Sequence, residues 1–518
     1  MESNTTSNFS SRQTILSLAA ISLFVLPIIF LYPFHADIDI MQVLGFQFAR
    51  YHELPYIGHW DGIFPILPFG PVFIHAASIL LFGNSEFSLR LMDVIFQIGS
   101  IIVLYRIGRF WLDRAPALLG SALYALFYVL GPGQYISQRD CFAVLPILVC
   151  IWLTVAAFRA ETNRRRAMLL VGAGIMGGLA TWIRPTFGLL LAAPFVSLFD
   201  LRRAASWRAL AFESLGFALV IALGLLPYAL TPGGLSTFYL VTIRFNLEVY
   251  SHALTLSSYS RRVWVVVCFI AIWGLSILNH KRKETVSRYK PKVPEETRYM
   301  VAVILALLAG VVIMRRLASY HFAPFFACFM PILAAVVWEA FDRHVRRRSW
   351  RIALIALALA AMYPWHFALH SLSSAGYSIP RAVRRVESGN GVSQEVASYV
   401  EHCTRPSDRV ELASITSPGP RWRIDRPFAT PFTTILTLIT QLPNGSYTPY
   451  QQVWQKEYVD SMRIERPQYY IVDNPAVPKS QPTTLDLLYT LPGLKSLIQT
   501  SYRLDTAIGN YMIYRRVP

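Results

Sequence analysis

The stretch TILSLAAISLFVLPIIFLY, residues 14–32, carries no charged side chain, and HADID follows it at residues 35–39. As an α-helix its 19 residues would rise about 28 Å, close to the ~30 Å hydrocarbon thickness of a bilayer. Backbone polar groups in lipid must be satisfied within the segment itself, so a run of this length reads as a membrane-spanning helix. Two carboxylates just past its end, Asp37 and Asp39, must be hydrated, paired or bound to a cation. A hydrated loop start is the ordinary account of one such acid; two together suggest chemistry at the membrane face.

The rest of the chain agrees with that start. Of 518 residues, 54% are hydrophobic and only 15% charged, against about 25% charged in an average soluble protein. Further uncharged apolar runs lie at 91–105, 115–130, 141–158, 168–183, 186–201, 210–230, 263–278, 299–314, 322–337 and 352–372, giving about eleven crossings of a helical polytopic membrane protein. The first run exceeds the ~7–15 residues of a signal-peptide core, so it is expected to remain as an anchor.

Basic residues set the orientation, because Lys and Arg are retained on the cytoplasmic side. Alternate loops hold 22 Lys and Arg residues and the opposite loops 9. The N-terminus is therefore expected inside and the acidic first loop outside. The apolar stretch 68–82, opened by Pro68 and Pro71, would invert every later loop if it crossed, so residues from about 37 to 82 are expected to form helices on the outer surface. The net charge of +18 comes mostly from the inner loops. It calls for anionic lipid headgroups rather than nucleic acid.

Beyond His370 the long apolar runs stop. Short alternating stretches at 409–415, 469–472 and 511–514 read as strands, and 394–403 and 485–500 as helices. The division is thus a membrane domain, 1–372, and an extracytoplasmic C-terminal α/β domain, 373–518. Four of the five cysteines fall in expected spans, so neither a disulfide framework nor a CxxC metal site is legible. His35, His52, His59 and His75 lack the spacing of a zinc motif.

The chemistry must be assembled from the outer loops. Asp37 and Asp39 share the first with Glu53 and Trp60-Asp61. Gln138-Arg139-Asp140 opens the fourth span, Arg184-Pro185 follows the fifth, and Arg315-Arg316 with Tyr320-His321 precedes the tenth. Each has a plainer account: a local Arg139–Asp140 pair at a helix start, an Arg184 snorkelling to the interface, a hydrogen-bonded structural His321, an intrahelical pair between Arg90 and Asp93. Together, acids and cations at one membrane face suit an anionic substrate that reacts beside a carboxylate.

In order and spacing, these motifs resemble the GT-C superfamily of glycosyltransferases, in particular bacterial relatives of dolichyl-phosphate-mannose protein mannosyltransferases and of aminoarabinose transferases. The similarity takes in Asp37/Asp39, Leu54-Pro55-Tyr56, Trp60-Asp61, Leu81-Phe82-Gly83 and Arg90-Leu91. It continues through Gln138-Arg139-Asp140, where that group commonly has Glu, Arg184-Pro185, where it has Lys-Pro, and Tyr320-His321 with Pro324. The resemblance implies transfer of a sugar from a polyprenyl-phosphate donor to an extracytoplasmic acceptor, a cell-envelope glycan, lipid or protein, with inversion. Asp37 or Asp39 would be the general base, and Arg139, Arg184, Arg316 and His321 would hold the donor phosphate. Asp39 and Asp140 are the candidate ligands for a divalent cation, Mg or Mn. A bacterial inner membrane is the expected location. The rival is a transporter or flippase for lipid-linked anions, which would more commonly show inverted repeats and mid-membrane charges; no repeat is evident.

Overall fold

The computed structural model describes residues 11–31, 36–52, 54, 69–130, 136–197, 204–249, 294–313, 319–345, 391–415, 418–475 and 481–517. The first helix, α1 (Ser11–Val25), runs on as a 3-10 turn, Leu26–Leu31. Then come α2 (Ala36–Tyr51), α3 (Phe69–Phe82), α4 (Glu86–Gly108), α5 (Arg114–Leu130), α6 (Arg139–Phe158) and α7 (Asn163–Ile183). A 3-10 stretch, Pro185–Leu191, leads into α8 (Ala192–Ser197) and α9 (Ala204–Ala229). Beyond them lie α10 (Gly234–Tyr239), α11 (Phe245–Glu248), α12 (Pro294–Ile313) and α13 (Ala323–Val345).

Five described segments are long and apolar enough to cross a bilayer: Ser11–Phe30, Glu86–Gly108, Arg139–Phe158, Asn163–Ile183 and Trp207–Ala229. Shorter apolar helices cover Arg114–Val129, Pro185–Pro194, Tyr299–Ile313 and Tyr320–Ala335. The protein is a multi-pass membrane protein. Expected spans 263–278 and 352–372 lie outside the described residues. The span expected at 186–201 differs in kind: it opens in 3-10 form. Pro185 follows an extended Arg184 (φ −155°, ψ 118°), and Pro194 has no N–H to donate to Leu190, which breaks α-helical bonding.

The described residues divide into two compact units. One comprises residues 1–32, 93–222 and 255–377; the other, residues 33–92, 223–254 and 378–518. In the first, α7 and α9 approach until backbone touches backbone. A Cβ on Gly174 would lie 1.9 Å from the Glu213 carbonyl oxygen, and one on Gly216 2.1 Å from that of Val171. Small residues at such crossings let helix backbones meet where lipid offers no hydrophobic drive.

In the second unit α2 packs on α3, with Gly45 against His75, so both halves of the expected outer-surface stretch are helical where described. The C-terminal part holds α14 (Gly391–Cys403), β1 (Val410–Ala413), α15 (Leu436–Ile439), α16 (Pro449–Glu465), β2 (Tyr469–Asp473), α17 (Thr484–Leu488), α18 (Leu494–Ser501), β3 (Tyr502–Ile508) and β4 (Tyr511–Arg516). The sheet order is β1-β2-β4-β3, with β1 and β2 parallel and the other pairs antiparallel. Val396, Val400, Val410, Leu412, Tyr469, Ile471 and Ile513 form its core with α14. The expected helix at 485–500 is two short ones, separated where Gly493 takes φ +81°.

Candidate functional site

The turn before α6 is held from below. Ser137 adopts φ +60°, a left-handed conformation that costs a side-chain-bearing residue. Asp93, on α4, stabilises it. Its Oδ2 accepts from Ser137 N at 2.9 Å, Ser137 Oγ at 2.9 Å and Tyr128 Oη at 2.6 Å, while Oδ1 accepts from Gln97 Nε2 at 3.0 Å. Tyr124 Oη in turn donates to Gln97 Oε1 at 2.6 Å. Sequence spacing assigned Asp93 only to Arg90. In the structure it fixes the turn that launches Gln138-Arg139-Asp140.

Asp140 sits in the first turn of α6, where the helix dipole favours a carboxylate. Arg184, leaving α7 in extended conformation, donates from Nη1 to Asp140 Oδ2 at 2.8 Å. His321, from the 3-10 turn Ser319–Phe322, places Nδ1 2.5 Å from the same oxygen and 2.9 Å from Arg184 Nη1. Nδ1 can serve only one of them. The shorter approach to a carboxylate oxygen favours a protonated Nδ1 donating to Asp140. Residue exposure is 0% for Asp140 and 2% for both Arg184 and His321. Arg139 is buried beside them, and its charge acts on all three.

Sequence positions 139–140, 184 and 321 are thus brought into one buried cluster. Arg184 is not a snorkelling side chain: it is packed 5.6 Å from the Phe187 ring and bonded to Asp140. Asp140 is the acceptor of residues 44 and 181 positions away. Arg316 lies outside the described residues.

Asp37 and Asp39 belong to the other unit, in the first turn of α2. Asp39 is 3% exposed and accepts from Trp422 Nε1 at 3.2 Å; Asp37 is half-buried. Gly419 leaves room for that carboxylate, since a Cβ there would lie 3.3 Å from Asp39 Oδ2 and 2.7 Å from Ser393 Oγ. Asn84 Nδ2 donates to the Trp422 carbonyl at 3.0 Å, and Arg423 Nη2 pairs with Glu86 at 2.7 Å while its guanidinium stacks 3.7 Å from the Trp422 ring. Residues 419–423 were not among the sequence candidates. Asp39, Asn84 and Glu86 lie more than 330 positions from Trp422 and Arg423, and no local pattern announces such contacts.

Among the described residues no three His, Cys, Asp or Glu side chains are grouped to hold a metal. Asp140, a candidate ligand with Asp39, already spends Oδ2 on a guanidinium and an imidazole. Its Oδ1 has no hydrogen-bond partner among the described residues, and a dication there would sit beside the buried charge of Arg184.

Comparison with known proteins bears on this arrangement. Residues 67–230 match the family described as Dolichyl-phosphate-mannose-protein mannosyltransferase. The undecaprenyl phosphate-alpha-4-amino-4-deoxy-L-arabinose arabinosyl transferase 2 of Proteus mirabilis is 27% identical over 139 residues, 25% of this chain and 22% of that protein. The corresponding transferase of Photorhabdus laumondii is 27% identical over 155 residues, 28% of this chain and 24% of that protein. The matched stretch therefore spans under a quarter of either relative. The crystal structure of ArnT from Cupriavidus metallidurans bound to undecaprenyl phosphate superposes with a TM-score of 0.62 at 11% identity, covering 98% of this chain and 99% of that one. The oligosaccharyltransferase of Archaeoglobus fulgidus tethered with an acceptor peptide gives 0.52 at 13% identity, covering 90% and 69%. The chain has the fold of these membrane proteins, and over the matched stretch its sequence is similar to those two transferases.

Proposed function

We propose that this GT-C-fold chain is a membrane glycosyltransferase that moves a sugar from a polyprenyl-phosphate donor to an acceptor outside the cytoplasm. The carrying observation is the convergence of Arg139, Asp140, Arg184 and His321 from three separate helix ends on one buried spot. Three cationic or proton-bearing groups around one carboxylate give a positive field suited to a phosphate leaving group. Arg139, Arg184 and His321, with Arg316, are the proposed phosphate-side groups. Asp140 keeps Arg184 and His321 oriented.

The acceptor hydroxyl must lose a proton as it attacks the anomeric carbon. Of the two acids of α2, we assign the base role to Asp37, which is half-buried, and an anchoring role to Asp39, which is tied to Trp422. Attack from the face opposite the phosphate inverts the anomeric centre, and polyprenyl phosphate departs as an anion. No step is routed through a metal. A divalent cation at Asp140, Mg or Mn, would be left Oδ1, beside the buried charge of Arg184.

The proposed setting is a bacterial inner membrane, with the N-terminus cytoplasmic and residues 373–518 an extracytoplasmic domain facing the acceptor. Cys403 is exposed while Cys141, Cys150 and Cys328 are buried, so an impermeant maleimide applied to intact cells should label a Cys268→Ser chain at Cys403. Protection until the cells are broken would reverse the orientation. The activity is tested by incubating purified protein with radiolabelled polyprenyl-phosphate sugars and cell-envelope acceptors. A covalent glycosyl product is expected. Asp37→Asn should abolish it with donor binding retained, and Asp39→Asn should reduce it less. Movement of the lipid-linked donor between leaflets without any covalent product would replace the transferase by a transporter.

A further inference from the structure

A helical stretch immediately after α9 carries apolar side chains on two faces. Residues 234–248 run without interruption through α10, a π-helical turn (Leu240–Arg244) and α11. One face, Val241, Phe245 and then Val249, is buried at 0%, 1% and 0% exposure. Phe245 packs toward α16, its ring 5.9 Å from that of Trp454 and 6.5 Å from that of Tyr450. The other face presents Leu235, Tyr239, Ile243 and Leu247, exposed at 47%, 54%, 41% and 65%. Arg244 and Glu248, bonded at 2.7 Å, flank them, and Tyr450 Oη donates to Glu248 at 3.1 Å.

Four-residue spacing on an α-helix drifts about 40° around the axis at each step. The π-turn, whose hydrogen bonds reach five residues back, winds more slowly and offsets that drift. The exposed side chains therefore remain in one stripe. A helix apolar on opposite faces is built to be covered on both.

Position relative to a membrane span identifies the cover. Trp207–Ala229 is one of the segments long and apolar enough to cross a bilayer, and its end presents Leu223, Leu226 and, just beyond, Leu230, each about half or more exposed. Only residues 230–233 separate that end from the stripe, and Gly233 turns the chain with φ +73°, a conformation glycine adopts at no steric cost. Four residues reach at most about 14 Å when fully extended. The headgroup layer on each side is roughly 5–8 Å deep, so the stripe begins within or just above it.

We propose that residues 234–248 form an interfacial helix lying in the bilayer headgroup layer. Leu235, Tyr239, Ile243 and Leu247 are seated at the acyl boundary, and Phe245 moors the C-terminal domain to the membrane through Trp454. Tyrosine suits that depth, with its ring in the apolar zone and its hydroxyl in the wet one. The inference does not depend on the catalytic reading.

The test uses the full chain in nanodiscs of phosphatidylethanolamine and phosphatidylglycerol on a Cys268→Ser, Cys403→Ser background. Single nitroxide labels are placed at 236, 239, 243 and 246, and power-saturation EPR measures access to oxygen and to a neutral nickel chelate. Labels at 239 and 243 should show an oxygen-to-nickel ratio several-fold above that at 236. Equal nickel access at 239, 243 and 236 would mean a water-facing helix and overturn the proposal. Low access to both reagents at 239 and 243 would mean a protein covers the stripe, and would overturn it equally.

Discussion

Removing the Asp93 carboxylate should loosen the turn that launches Gln138-Arg139-Asp140. Four donors converge on this one side chain: Tyr128 Oη, Ser137 N, Ser137 Oγ and Gln97 Nε2. Hydrogen bonds to a charged group contribute about 1.5–3 kcal/mol each, so simple addition gives about 6–12 kcal/mol for Asp93→Ala. Relaxation and water entry reduce that, and breaking a buried charged network typically costs about 3–5 kcal/mol. Asp93→Asn is the sharper probe. Its carbonyl oxygen can take the place of Oδ2 and keep the three bonds to Ser137 and Tyr128, while its NH₂ faces the NH₂ of Gln97. A flipped Gln97 would relieve this contact only by turning Tyr124 Oη, which now donates to its oxygen, into an acceptor. One lost bond and one donor–donor contact cost of order 1–2 kcal/mol. Hydrogen exchange by mass spectrometry on the peptide covering 136–141, in detergent, reads this directly. With about 1.4 kcal/mol per tenfold, exchange should accelerate roughly a hundredfold to a few thousandfold in the Ala variant and about tenfold in the Asn variant. Unchanged exchange in Asp93→Ala, with wild-type thermal stability, would refute the claim that Asp93 holds the turn.

Other outcomes follow from separate features. Gly174→Ala or Gly216→Ala must push α7 from α9, since the new Cβ would overlap backbone oxygens. Overpacking of about 1–3 kcal/mol or more should lower the melting temperature, whereas Gly172→Ala, which meets only the Leu153 side chain at 3.2 Å, should be tolerated. Arg184→Met takes the bonded guanidinium from the buried Asp140 carboxylate and should destabilise by about 3–5 kcal/mol. Asp140→Asn added to it should restore much of the loss in a thermal scan, and strict additivity of the two changes would argue against the pair. In the C-terminal domain burial pushes the Glu411 carboxyl up to about 7, against the pull of Arg421. The folded state then holds a proton that the unfolded chain releases, so this contribution is complete below about pH 4.5 and is lost as pH rises through about 7. Melting scans across pH 4.5–7 should fall less steeply for Glu411→Gln than for wild type, and identical slopes would remove Glu411 as the cause.

The membrane helices were legible because lipid leaves one solution to the backbone problem: apolar length alone announces a span. Residues 139–140, 184 and 321 were legible as singletons, charged groups at helix mouths where an apolar chain has no other use for them. Their union was not, since a contact across 181 positions leaves no local mark. Two of the elements missed in the C-terminal part, β3 and α16, were missed for different reasons. β3 is an edge strand whose side chains are mostly exposed, so it lacks the apolar alternation that marks a half-buried strand. α16 is polar, yet its start was written in the chain: Thr448 and Gln451 form a capping box around Pro449 at the first turn. Asp93 shows the limit of spacing arguments. Its neighbour at i−3 was visible, while Ser137 and Tyr128 came within reach only once α4, α5 and the loop were folded together.

The grip of residues 419–423 on Asp39, Asn84 and Glu86 bears on how such a chain can diversify. A terminal domain joined only by a linker is a cassette, free to be exchanged for another that recognises a different acceptor. Here Trp422 and Arg423 reach the helix bearing the acids and the start of α4. A graft that omits them would take an indole donor from the buried Asp39 and a guanidinium from the buried Glu86. Recombination at this boundary must therefore carry both halves of the contact, so residues 419–423 and the stretch holding Asp39, Asn84 and Glu86 are inherited together.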